Sequence, residues 1–324
     1  MLKRKIYIIL AIVILPSIIA LSKENTWRLE ENQSWDLIDI DPNVQYLREV
    51  SNIQKTVDEG KTKEATREFT ALKNNFAVFS GSDLDLFIKA ELLLSKEKLS
   101  KSCRNYDKLL TKYPDSLLSD SAIKRENEIG MAYLEGRKKI VFGIIPTAGD
   151  EEGISILEKM IDHAGYDKKI SINASIAIAR NYKKRKKFND AYLKWYEIYS
   201  LAKKDAALDR DALLGMAKAK FDIYNRNPEA KKPFYDASCL RSAKTYYEIL
   251  KSSYPEYAKE IGVSETLNVI NEELAYKELS IGLYYQRTGN KQAANLYFNM
   301  VISNWPESKS SEIAHNILNK NNES

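Results

Sequence analysis

The chain has 324 residues, of which 44% are hydrophobic, and it contains 20 Tyr but only 12 Gly and 8 Pro. This length allows two ordinary domains or one extended array, and the scarcity of Gly and Pro argues against a sheet-rich protein with many tight turns. The 50 basic residues nearly balance the 45 acidic ones, so the net charge of +5 does not indicate a nucleic-acid partner. Composition therefore favours a helical protein with a substantial core.

The N-terminus has the pattern of an export signal. Basic residues at 3–5 precede an uncharged run at 6–21, which is shorter than the roughly 20 residues of a comfortable membrane span. Small residues near its end predict cleavage before Lys23, with an uncleaved membrane anchor as the alternative. Residues 1–22 therefore predict export, and residues 23–43 are interpreted as a linker or a short amphipathic lead-in.

The positions of the cysteines do not fit a lipoprotein signal. A lipoprotein signal places a Cys directly after its small residues, whereas the chain contains only Cys103 and Cys239. Both lie within helical patterns far apart in the sequence and outside any C-x-x-C motif. We interpret both as buried structural thiols.

Three similar phrases mark the end of helical segments. "TKYPDS" contains Pro114, "SSYPEY" contains Pro255 and "SNWPES" contains Pro306, and each follows a run with apolar residues at helical spacing. Proline ends a helix because it lacks an N–H and disfavours helical geometry in the residue before it. The repetition indicates that one structural unit recurs along the chain.

The residues before these prolines give the period of that unit. Small residues recur twelve positions apart, aromatic residues follow them by three or four positions, and Gly60 and Gly289 occupy corresponding turns. The repeat-framing residues are Ala65, Phe69, Ala90, Tyr106, Pro114, Gly130, Tyr133, Ala179, Tyr182, Ala191, Trp195, Ala243, Tyr247, Pro255, Gly282, Tyr285, Ala294, Phe298 and Pro306. This is the 34-residue helix–turn–helix pattern of the tetratricopeptide repeat. The sequence predicts an all-α protein, a right-handed α-solenoid of five to six helix pairs over residues 44–318, with a disordered tail at 319–324.

Two insertions interrupt the predicted array. The first, about 137–152, carries five apolar residues: Ile140, Val141, Phe142, Ile144 and Ile145. It has two interpretations, packing into a groove between helices or docking a protein partner. The second, 225–238, is predicted to pack Phe234 and Tyr235 onto a neighbouring helix.

Charged runs next to these elements have simple structural interpretations. The basic run 183–187 is typical of a solvated helix end, with an acidic partner or an anionic lipid surface as the alternative. The acidic run within 149–153 predicts a helix start with Asp150 as the N-cap.

The sequence contains no motif for catalysis. His163 and His315 are the only histidines, they lie in separate repeats, and neither belongs to a metal-ligand pattern. No phosphate-binding glycine motif is present. We expect no enzyme activity, no cofactor, no metal and no small-molecule substrate.

The last repeat resembles a known family. Residues 273–318, "ELAYKELSIGLYYQRTGNKQAANLYFNMVISNWPESKSSEIAHNIL", resemble the closing segment of the BamD/YfiO-type outer-membrane assembly proteins, and residues 105–123 resemble an early repeat of that family. The resemblance covers about 46–318, with two insertions that mark a divergent branch. The missing lipoprotein Cys is a departure from the family.

The resemblance implies a periplasmic scaffold that helps to assemble and insert outer-membrane β-barrel proteins. Its partners would be a β-barrel assembly component and unfolded outer-membrane proteins. It would act in the periplasm or at the periplasmic face of the outer membrane, with anchoring to the inner membrane by the leader as an alternative. The rival functions are an envelope scaffold that coordinates division with wall synthesis and a membrane-anchored chaperone.

Overall fold

The structure, a computed structural model, describes residues 26–29, 35–38, 41–141, 144–202 and 205–323. The α-helices are α1 (Pro42–Asp58), α2 (Thr62–Asn75), α3 (Ser82–Leu94), α4 (Leu99–Lys112), α5 (Ser119–Leu134), α6 (Asp150–Ala164), α7 (Lys169–Lys184), α8 (Phe188–Leu201), α9 (Ala206–Asn225), α10 (Ser238–Ser253), α11 (Pro255–Glu260), α12 (Val263–Arg287), α13 (Lys291–Asn304) and α14 (Lys309–Glu323). Two 3-10 helices span Ala77–Phe79 and Glu229–Phe234. Four short strands complete the described elements: β1 (Thr26–Leu29), β2 (Trp35–Ile38), β3 (Lys139–Val141) and β4 (Ile145–Thr147).

Consecutive helices pack against each other as hairpins. The six pairs are α1–α2, α3–α4, α5–α6, α7–α8, α9–α10 and α12–α13, and α14 packs against the last of them. Similar side-chain hydrogen bonds join the second helix of one unit to the first helix of the next. Thr62 on α2 bonds to Ser95 at the end of α3 at 2.9 Å, and Ser100 on α4 bonds to Tyr133 on α5 at 3.2 Å. The fold is an all-α solenoid of helix pairs, which confirms the fold class predicted from the sequence.

The recurring aromatic–proline phrase ends the second helix of a pair in the same way each time. Tyr113, Tyr254 and Trp305 leave helical geometry with nearly identical backbone angles, φ near −135° and ψ near 60°. The backbone N–H of each still donates to the carbonyl four residues earlier. Because the following proline excludes helical geometry, the chain turns there toward the next unit.

Small residues lie where the two helices of a pair approach most closely. The Ser102 hydroxyl donates to the Ala90 carbonyl at 2.8 Å, and both residues are fully buried. At Gly282 an added Cβ would lie 2.6 Å from the ring of Phe298. The twelve-residue spacing in the sequence is therefore the spacing of one close contact across a helix hairpin.

In four of the six pairs the turn contains one residue with positive φ, two positions before the second helix begins. Gly60 and Gly289 fill this position with φ of 72° and 84°, as predicted. Glu97 and Lys186 hold the same position in other units with φ of 56° and 58°. The geometry is thus set by the repeat, and two units adopt it without glycine.

The core follows the repeat-framing pattern. Most framing residues are buried, including Phe69, Tyr106 and Phe298, whereas Tyr182 and Tyr285 are half-buried. The framing prolines are exposed, which fits their role in ending helices. The small and aromatic framing positions are therefore the packing face of the solenoid.

A buried ion pair joins the first helices of three units. Arg125 on α5 donates from Nε to Glu91 on α3 at 3.1 Å, and its Nη1 lies 2.8 Å from the carboxylate of Asp58 on α1. Its Nη2 also donates to the backbone carbonyl of Gln54 at 3.2 Å. Glu91 is fully buried, so its charge depends on the guanidinium for compensation.

Regular secondary structure extends into both ends of the array. The segment 23–43, predicted as a linker or amphipathic lead-in, contains the antiparallel pair β1–β2, in which Thr26 pairs with Ile38 and Leu29 with Trp35. At the other end α14 continues through Glu323, although residues from 319 onward were predicted to be disordered. The carboxylate of Glu272 accepts from the backbone N–H of Lys309, so the helix start is held by α12.

The two cysteines are free thiols in different surroundings. Cys103 is buried within the core, as predicted, and burial raises its pKa. Cys239 is only half-buried, so the prediction of a second buried thiol is wrong. It lies in the first turn of α10, where the core contacts begin at Leu240.

Candidate docking surfaces

The first insertion forms a β-hairpin that projects from the α5–α6 pair. β3 and β4 pair antiparallel, with Ile140 opposite Pro146 and Val141 opposite Ile145. Ile144 is 82% exposed, Ile140 is 56% exposed and Ile145 is 49% exposed. The interpretation in which this insertion packs into a groove between helices is therefore wrong for these three residues. Val141 is half-buried, and Phe142 lies outside the described residues.

The base of this hairpin is fixed to the helices that flank it. Lys139 Nζ lies 2.6 Å from the Glu152 carboxylate in the first turn of α6, and Thr147 donates to the Lys139 carbonyl at 3.2 Å. Gly149 sits where an added Cβ would lie 2.3 Å from the Tyr133 ring. The exposed Ile140, Ile144 and Ile145 thus extend from a positioned base, which lowers the entropy lost when a partner binds.

The second insertion also exposes an aromatic side chain. Phe234 is 80% exposed and Tyr235 is 40% exposed, so the prediction that they pack onto a neighbouring helix is wrong. Polar contacts hold the insertion instead, because Lys277 Nζ donates to the carbonyls of Pro233 and Tyr235 at 2.7 Å each. The buried Lys232 adds an ion pair to Glu273 at 3.2 Å.

Exposed apolar side chains continue along α12 beside this insertion. Val269, Tyr276 and Leu283 are spaced seven residues apart, which places them on one face of the helix, and all three are exposed. By contrast, much of the segment 171–182 on α7 is buried. Helix α12 therefore exposes more apolar surface than α7 does.

The basic run 183–187 is engaged in ion pairs within the chain. Arg185 and Lys187 both reach the Glu151 carboxylate, at 2.5 and 2.6 Å, and Lys183 lies 3.2 Å from Asp222. Hydrogen bonds from Lys187 and Arg185 lower the pKa of Glu151. These contacts favour the helix-end interpretation over a free basic patch.

The start of α6 differs in detail from the prediction. Asp150 is the first residue of the helix, and Gly149 occupies the N-cap position. The Asp150 carboxylate accepts from the Asn181 amide at 2.7 Å rather than from its own helix. Its role is therefore to join α6 to α7, and the prediction of Asp150 as N-cap is wrong.

A second group of interacting titratable residues lies between α4, α5 and α6. Asp107 accepts from Lys159 at 2.9 Å and lies 3.2 Å from His163 Nε2. Glu126 beside them is only 1% exposed, and burial together with the Asp107 charge raises its pKa to about 8. Within the described residues, no three His, Cys, Asp or Glu side chains are placed to hold a metal ion.

The predicted leader, residues 1–22, lies outside the described residues. None of the described helices has both the length and the apolar character needed to cross a membrane.

The C-terminal units are similar in sequence to a known family. In these units α12 and α13 approach closely at Gly282, and the Glu272 carboxylate on α12 holds the start of α14. Residues 213–324 match the YfiO family of outer membrane lipoproteins. This confirms the YfiO resemblance predicted from residues 273–318, while its extension toward residue 46 stays a prediction.

Two solved structures are similar to this chain at low sequence identity. The C-terminal part of a TPR repeat-containing protein from Cytophaga hutchinsonii is 14% identical, with 85% of this chain and 88% of that chain covered and a TM-score of 0.37. PilW, a type IV pilus biogenesis factor, is 16% identical, with 85% and 98% covered and a TM-score of 0.29. No curated relative matches the sequence.

Proposed function

We propose that this protein is a non-enzymatic scaffold of the cell envelope that binds protein partners during assembly and insertion of outer-membrane β-barrel proteins. The family match supports an envelope location, because the YfiO family is described as outer membrane lipoproteins. The observation that carries the proposal is the β3–β4 hairpin, which holds Ile140, Ile144 and Ile145 in water on a fixed base. Exposed apolar groups in such a position are typical of a protein interface.

The partner at the hairpin is a β-barrel assembly component with soluble periplasmic domains. The protein acts in the periplasm or at the periplasmic face of the outer membrane, held there by its leader or by the partner itself. A solenoid needs no catalytic residue for this work, since its extended surface binds segments of other proteins.

The test is affinity purification of the tagged full chain from native membranes, read by mass spectrometry. We expect wild type to recover a β-barrel assembly component and the variant Ile140→Ser with Ile144→Ser to lose it. The matched control replaces Leu193 and Leu296, equally exposed apolar residues on α8 and α13, by Ser. Recovery of the same component by the hairpin variant would overturn the docking site.

The composition of the recovered complex tests the wider function separately. Recovery of wall-synthesis or division proteins without any β-barrel component would overturn the assembly role and favour the rival envelope scaffold. Recovery of unfolded clients alone, with no assembly component, would favour the chaperone alternative.

A further inference from the structure

A groove of about 450 Å³ opens between α2 and α3, at the boundary of the first two units. Its apolar lining includes Phe69 from α2 and Ile88, Leu92 and Leu93 from α3. Phe69 is buried, whereas the three α3 residues are half-buried and reach the open side. The volume falls within the range of protein ligand sites.

Two threonines of α2 add to the apolar character of this groove. Thr66 and Thr70 line it, and their hydroxyls donate to carbonyls of their own helix at 2.7 and 2.8 Å. These donors are therefore already used within α2. The groove walls formed by these residues offer a ligand mainly carbon surface.

The rim of the groove is basic. Lys73, Lys89 and Lys96 border it against the single carboxylate of Asp85, which pairs with Lys73. Among the described residues, no carboxylate forms an ion pair with Lys89 or Lys96, and both side chains are exposed. The site thus presents two uncompensated positive charges beside an apolar floor.

The spacing of these charges points to the kind of ligand. Lys89 lies on α3 and Lys96 lies two residues after its end. Because the intervening Ser95 keeps αR geometry, with φ of −59° and ψ of −19°, the rise of two helical turns still separates the two Cα atoms by about 10 Å. A ligand with one anionic head would meet only one of them. A helix with acidic residues at i and i+7 presents two carboxylates at the same separation, beside an apolar stripe at i+3 and i+4.

We propose that the α2–α3 groove binds an amphipathic helix of a protein partner, with its apolar stripe against Ile88, Leu92 and Leu93 and its acidic residues facing Lys89 and Lys96. This is a helix-in-groove mode of recognition. The site lies on different helices from the β3–β4 hairpin and does not depend on it. The first two units therefore provide a second docking surface.

The experiment uses the full chain in lipid nanodiscs and a fluorescent helical probe peptide of about four turns. The probe has a Leu stripe and two Glu placed seven residues apart, and two matched peptides carry Gln or Lys in place of Glu. Fluorescence anisotropy measures affinity, and a photo-reactive group in the peptide locates the site by cross-linking to α2 and α3.

The charge-swapped variant Lys89→Glu with Lys96→Glu gives the decisive comparison. We expect it to bind the Glu peptide about tenfold more weakly and the Lys peptide about tenfold more tightly than wild type does. The control Lys101→Glu with Lys108→Glu changes two exposed lysines, also seven residues apart, on α4 outside the groove, and should leave both affinities unchanged.

Tighter binding of the Lys peptide by the charge-swapped variant would also show that this variant is folded. Equal affinity for the Gln and Glu peptides, or an equal effect of the α4 control, would overturn the proposal. Failure of all three peptides to bind would overturn it as well, and a spin-labelled fatty acid bound in the groove would then identify an acyl chain as the occupant.

Discussion

The variant Glu126→Gln removes a carboxyl group from a site that disfavours its charge. Glu126 on α5 is 1% exposed, and its Oε2 has no hydrogen-bond partner among the described residues. Burial, with a contribution from the Asp107 charge, raises its pKa from 4.5 to about 8, and Lys159 only partly opposes this. Folded protein therefore keeps Glu126 protonated at neutral pH.

The sign of the pH dependence follows from this raised pKa. The folded state binds a proton that the unfolded state releases near pH 4.5, so the stabilisation is complete below that pH and is lost as pH rises toward 8. The difference between the two pKa values corresponds to about 5 kcal/mol over the whole range. Glutamine has nearly the same shape as a protonated Glu and never ionises. The free energy of unfolding of Glu126→Gln therefore lacks this decrease with rising pH.

Urea unfolding followed by circular dichroism, at pH values from about 5 to about 9, measures the effect. We expect the free energy of unfolding of wild type to fall by several kcal/mol relative to that of Glu126→Gln across this range. The control Glu135→Gln, at an exposed position just after the same helix, should parallel wild type. Parallel curves for wild type and Glu126→Gln would refute the reasoning.

Three further predictions concern stability, each measured by urea unfolding. Lys186→Gly relieves a positive φ of 58° and should stabilise the fold by about 1 kcal/mol; no gain would show that the turn is unstrained. Gly282→Ala brings a Cβ to 2.6 Å from the Phe298 ring and should cost about 1–3 kcal/mol, whereas an unchanged midpoint would contradict the close approach. Arg125→Met leaves Glu91 buried and unpaired and should cost about 3–5 kcal/mol, with most of the loss recovered by adding Glu91→Met.

The repeat architecture could be predicted because its determinants are local in sequence. Pro306, the small residue Ala294 and Gly289 each act on the backbone within one helix hairpin, and the hairpin recurs along the chain. The recurrence of these residues at the same spacing in several units distinguishes the repeat pattern from a chance match. The positive φ at Lys186 could not be predicted, because a non-glycine residue carries no sequence signal for positive φ.

The insertions were harder to predict because their conformation depends on contacts distant in sequence. Phe234 and Tyr235 were expected to pack as apolar residues, but Lys277, more than forty residues later, holds their segment through two backbone carbonyls. The hairpin at Ile140 likewise depends on the pairing of Lys139 with Glu152. Residue type alone did not show which polar partner would compete with hydrophobic packing.

The groove rimmed by Lys89 and Lys96 gave no sequence signal at all. Its lining combines residues of two units, and its rim lysines lie outside the repeat-framing positions. Only the placement of α2 beside α3 brings Phe69 and Ile88 to one cavity.

The buried Arg125 has a consequence for how the array opens. In a solenoid whose repeats touch only their neighbours, terminal repeats fray first and exchange their amide hydrogens independently. Arg125 reaches α1 as well as α3, so detaching the first unit alone would strip part of the compensation from a buried charge. Helices α1, α3 and α5 should therefore lose protection against hydrogen exchange together, as one cooperative block, while the C-terminal units open on their own.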